Sequence, residues 1–160
     1  MVLLPGSIIA GLLNPYFGSL YDKRGAKLPL YLGGFFMALS CLLFAIFGLN
    51  LSAMMIIIFY GIMMMGHRMS FSNTMAEALK VETGKLRADA TAVCQTSQQL
   101  AGSVGTTILA SIMSVWQKQS HGSYTMATAQ GSQAAFCFTL LMSLIIMFSY
   151  WKMFRAEKAK

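Results

Sequence analysis

The densest chemical signal in the chain is one acid set among bases, in Gly18-Ser19-Leu20-Tyr21-Asp22-Lys23-Arg24-Gly25-Ala26-Lys27-Leu28-Pro29-Leu30. A carboxylate such as Asp22 next to a helix terminus can pair with Lys or Arg or cap a neighbouring helix, and it can equally be solvated. Gly25 gives the backbone freedom for a tight turn, and Gly18 offers a point of close helix approach. A second polar set, Gln95, Gln98, Gln99, Gly102 and Thr106, recurs at helical spacing and shares one face. Two uses fit it: glutamines as hydrogen-bonding glue inside a bundle, or Gln95, Gln98 and Gln99 as the lining of an aqueous substrate path. Rows of small residues run beside it, with Ala101, Gly102 and Gly105 at their centre, and such rows let helix backbones pack closely in lipid.

Other reactive residue types carry less. His67 and Arg68 follow the methionine run Met63-Met64-Met65 and read as interfacial residues. Cys41, Cys94 and Cys137 have no CxxC spacing and read as small buried apolar side chains. There is no phosphate loop, no HExxH, no Ser/His/Asp spacing and no metal-ligand cluster, so neither a cofactor nor an enzyme is expected.

These residues must be positioned by elements that the composition restricts sharply. Of 160 residues, 56% are hydrophobic and 11% charged, and mean hydropathy is +0.61. Soluble domains carry about 25% charged residues, too many for this chain to be one of them. The net charge of +7 could point to nucleic acid, but the charges sit in short clusters between long uncharged runs, at 1–21, 28–67, 90–117 and 119–151. That distribution belongs to a membrane protein, with the lipid bilayer as partner and no nucleic acid.

The expected fold class is all-α, a polytopic transmembrane bundle of about five spans at 1–21, 28–47, 52–72, 91–115 and 134–151, followed by a basic tail at 152–160. Gly48-Leu49-Asn50 is the expected turn inside the longest run. The polar stretch 119–133 reads as a loop, and 73–89 as a solvated loop with some helix, broken at Gly84. In this arrangement eleven of the twelve Lys and Arg residues fall on one side and only Lys118 on the other. The positive-inside rule then places the N-terminus outside and the C-terminus in the cytoplasm of a cell-membrane protein. The first run lacks a positive n-region and a small-residue cleavage site, so it reads as a retained span, not a secretory signal. Asp22, Glu77, Glu82, Asp89 and Glu157 all lie outside the spans, leaving no intramembrane carboxylate.

Gly18-x-Leu20-x-Asp22-x-x-Gly25-x-Lys27-x-x-Leu30 resembles the cytoplasmic signature loop of the major facilitator superfamily. Leu4-Pro5-Gly6 and Gln98-Gln99-Leu100-Ala101-Gly102-Ser103-Val104-Gly105 narrow the likeness to its fourteen-helix drug:proton antiporter branch, of which the chain resembles only the last five helices. The resemblance implies a charge-paired cytoplasmic gate at Gly18, Asp22, Arg24, Gly25 and Lys27. Lys23 and Ala26 stand where the family usually has Arg, and a Lys does not replace a bidentate Arg. It also implies proton-coupled export of small amphipathic or cationic compounds, inactive unless the N-terminal helices complete it. The rival expectation is a small standalone membrane protein acting as a structural or regulatory helix-packing partner.

Overall fold

In lipid, backbone polar groups have no water to bond to, so an uncharged chain satisfies them within helices. The computed structural model describes residues 6, 8, 11–80, 85–119 and 124–157, and among them there is no strand. Its long elements are α1 (Asn14–Arg24), α2 (Lys27–Phe47), α3 (Ala53–Ala78), α4 (Lys85–Gln119) and α5 (Tyr124–Glu157). The all-α bundle expected from the uncharged runs is therefore present. Among the described residues, three helices are long and apolar enough to cross a membrane: α2, α3 and α5. Much of the first run, and Glu82 and Gly84 in the loop after α3, lie outside the described residues.

The helix boundaries have local causes. Pro15 sits at the start of α1, where its missing N–H costs no helical bond. Gly25 ends α1 at φ +73°, a conformation that glycine adopts without strain, and its N–H donates to the Tyr21 carbonyl at 2.8 Å. The expected turn after α2 is closed by the Asn50 N–H on the Phe47 carbonyl at 2.9 Å, and Ser52 then caps α3 by accepting from the Met55 N–H.

Helix reaches further into the two polar stretches than expected. The stretch 119–133 was expected to be non-helical because it is polar, yet α5 begins at Tyr124. Its hydroxyls bond back one turn, Thr128 to the Tyr124 carbonyl at 2.9 Å and Ser132 to that of Thr128 at 2.8 Å, so their polarity is satisfied inside the helix. Gln133 donates to the Ala45 carbonyl of α2, and Gly131 lets α5 lie against Met113 of α4. Likewise α3 continues past 72. Asn73 is buried, not solvated, and its amide donates to the Met69 carbonyl at 2.7 Å.

α2 is the hub. In its most apolar stretch 44% is buried, against 17% in α3 and 6% in α5. α2 and α3 cross at Gly33 and Gly66: a Cβ on Gly33 would come within 2.7 Å of the Ser70 nitrogen, and one on Gly66 within 2.7 Å of the Met37 nitrogen. Backbone contact of this kind supplies the dispersion that holds helices together where lipid removes the hydrophobic drive. Ser40 donates across the same interface to the Phe59 carbonyl at 2.7 Å. Phe44 completes the core, edge-on to Phe59 and stacked on Phe136 of α5 at 4.5 Å between centroids. α5 carries this packing on to α4, and α1 leans on α2 and α3.

Candidate functional site

The end of α1, the start of α2 and the far ends of α3 and α5 meet at the basic end of the bundle. Ala26, Leu30 and Phe154 form a buried cluster there, flanked by Tyr21, Tyr31 and Tyr150. Tyr150 ties α5 to α3, its hydroxyl lying 3.1 Å from that of Ser70 and 2.9 Å from that of Thr74. On this apolar base sits a small charged network. The Tyr21 hydroxyl donates to Glu77 Oε2 at 2.7 Å, Lys80 Nζ lies 2.8 Å from the same oxygen, and the Lys80 ammonium stands 5.0 Å from the Tyr21 ring centroid. Glu77 lies past the apolar part of α3. Lys80, followed by the Tyr21 hydroxyl, holds its carboxyl below the usual carboxylate range, and Glu77 in turn raises the Lys80 ammonium above the ordinary lysine value. A cleft of about 380 Å³ beside the network is bordered by Arg24, Lys27, Glu77, Lys80 and Phe154.

The signature-loop residues are distributed around this network and not at its centre. Gly25 makes the turn, and Arg24 and Lys27 border the cleft. Lys27 stands over the Phe154 ring, 5.2 Å from its centroid. Asp22 is exposed and, among the described residues, makes no ion pair. Gly18 is exposed, and a Cβ placed on it would meet no atom within 4 Å, so the close approach expected there is not made among the described residues. Among the described residues the paired carboxylate is Glu77, in a stretch whose mixed charges read as a solvated loop. Its signal was the Glu77/Lys80 spacing of three, meaningful only once α3 is known to continue that far.

Gln95, Gln98 and Gln99 all lie on exposed surface of α4, and so do Ala101 and Gly102. The packing expected of Ala101, Gly102 and Gly105 is not made among the described residues, since a Cβ at either glycine would meet nothing within 4 Å. The close contacts fall instead at Gly33, Gly66 and Gly131. Between the first turns of α4 and the last of α3 opens an apolar cleft of about 300 Å³, bordered by Phe71, Met75, Val93, Cys94 and Gln98. Of the cysteines only Cys41 is buried; Cys94 is half-buried and Cys137 exposed, and all three are free. His67 stacks on Phe71 at 5.7 Å, and no group of metal-ligating side chains occurs among the described residues.

What this geometry provides is a set of apolar helices with a charged clamp at one end and a polar helix face left open. In an alignment of 154 positions that covers 91% of the chain, it is 34% identical to the lincomycin resistance protein LmrB of Listeria monocytogenes. It is 28% identical to LmrB of Bacillus subtilis, and 28% identical to the MFS-type transporter YcnB of the same organism. The chain is similar to one part of these drug-resistance and MFS-type transporter proteins. It spans about a third of the length of these relatives, 32% for both LmrB proteins and 31% for YcnB. No protein-family profile matches it, and no solved structure does. The likeness to membrane transporters and the apolar helices together make it a multi-pass membrane protein.

Proposed function

We propose that the chain is the C-terminal part of a multidrug efflux transporter, exchanging amphipathic or cationic compounds for protons, and inactive until the remaining helices of the transporter join it. The observation that carries this reading is the open face of α4. Gln95, Gln98, Gln99, Ala101 and Gly102 are exposed side by side, and a polar, small-residue helix face has no stable place against lipid. A second bundle packed there would enclose the glutamines in an aqueous path between two halves, which is where facilitator transporters bind and rock. The resistance named for the LmrB relatives supports a drug as substrate. The acids that exchange protons would lie in the other helices, because the apolar spans here contain none. In this reading the basic end faces the cytoplasm of a cell-membrane protein, and Asp22, Arg24, Gly25 and Lys27 serve its gate around the Glu77 clamp, with no catalytic residue and no cofactor.

The test is complementation in cells that lack their own drug pumps. Expressed alone, the chain gives no ethidium efflux; joined to the N-terminal two thirds of Listeria LmrB, it restores energy-dependent efflux, and Gln98→Ala lowers that rate severalfold. Efflux by the chain alone overturns the dependence. A defined homo-oligomer with no efflux in either form, read by crosslinking, replaces the proposal with a standalone helix-packing protein.

A further inference from the structure

Sharing Lys27 and Phe154 with the cleft beside the charged clamp, a second cleft of about 260 Å³ is framed by α2 and α5 and lined by Lys27, Tyr31, Trp151, Phe154 and Arg155. Two cations reach it from different helices. Each lies over an aromatic ring: Lys27 Nζ is 5.2 Å from the Phe154 centroid and the Arg155 guanidinium 5.1 Å from that of Trp151. Neither forms an ion pair among the described residues, where Glu77 belongs to Lys80, and no described lining residue is acidic. The cleft is therefore a doubly positive recess floored by Phe154, which is only 5% exposed.

Its surroundings identify the level in the bilayer. Tyr31 and Trp151 are the aromatic types that settle at the boundary between hydrocarbon and headgroups. Trp151 stacks on Phe148, which is 62% exposed, and Ile145 and Leu144 continue the exposed apolar surface down α5. A positive recess that opens onto an apolar track has the shape of an amphiphile, with an anionic head in the recess and a chain along the track.

We propose that this cleft is a binding site for an anionic phospholipid, the phosphodiester held between Lys27 and Arg155 and an acyl chain lying along Trp151 and Phe148. A free phosphate has the same head but gains nothing from the track, and for that reason the lipid is the occupant. The site goes beyond the transport reading and does not depend on it.

The chain contains two tryptophans, Trp151 at the cleft and Trp116 on α4, beside Gln133 at the other end of the bundle. With Trp116→Phe, Trp151 becomes the sole tryptophan of the whole chain, reconstituted in phosphatidylcholine bilayers and excited selectively over its tyrosines. Chain-brominated phosphatidylglycerol then quenches Trp151 with an affinity at least about fivefold above that of brominated phosphatidylcholine, the preference that one basic side chain near the surface supplies. Lys27→Gln with Arg155→Gln brings the two lipids to parity. In the reciprocal Trp151→Phe chain, Trp116 distinguishes them much less. Equal quenching of Trp151 by both lipids overturns the site without recourse to any charge variant, and so does the same preference at Trp116. A preference that survives loss of both cations, with the helix content unchanged, also overturns it. Abolition by excess inorganic phosphate at fixed ionic strength would assign the recess to a free anion in place of a lipid.

Discussion

Glu77 shows how much one side chain depends on its helix. It accepts from the Tyr21 hydroxyl and pairs with Lys80, linking α1 to the end of α3. Because its folded carboxyl titrates below the ordinary value of about 4.3, its contribution to stability is complete above that value and is lost as pH falls through the lower folded value. A carboxyl-carbon NMR titration should find Glu77 below the ordinary range, and Lys80→Ala should move it back up. A Glu77 that titrates at the ordinary value in the unaltered chain would dissolve the network. Tyr21→Phe should raise the same value by a smaller step, since the hydroxyl is the lesser of the two stabilising partners. None of this was legible from spacing alone, because residues 73–80 are polar enough to pass for a loop; the Leu79 N–H bonded to the Met75 carbonyl at 3.2 Å shows the helix running that far.

Among the elements, the α2/α3 pair carries the tightest contact. Gly33 and Gly66 are separated in sequence by a turn and most of two helices, and neither belongs to the small-residue rows that the α4 sequence displays so clearly. Gly33→Val places carbon against the backbone of Ser70 and should destabilise the chain in detergent by about 1–3 kcal/mol, the usual cost of overpacking. Gly102→Val meets nothing and should change the unfolding midpoint by no more than a surface substitution does, within about 0.5 kcal/mol. Equal losses in the two variants would mean that α4 is packed within this chain after all. The sequence identified small residues but not their partners: a row on one helix becomes an interface only when another helix lies across it.

For the whole molecule, orientation is the property that charge alone argues for. Tyr124 opens α5 at the end away from the basic cluster and is exposed. With the native cysteines replaced, Tyr124→Cys should react with a membrane-impermeant maleimide in intact cells; labelling only after permeabilisation would invert the topology. The helical class, the membrane environment, the positions of α2 and the turn after it, and the family likeness all follow from the sequence. Long uncharged apolar runs take the helix in lipid, and Gly25 and the turn Gly48-Leu49-Asn50 mark where it must bend. Tertiary structure decided the rest: that the paired acid is Glu77, that helices touch at Gly33 and Gly66, that 124–133 is helix, and that Lys27 and Arg155 share one recess. Those facts depend on which helix faces lie together across tens of residues of chain, and local periodicity carries no record of a neighbour's position.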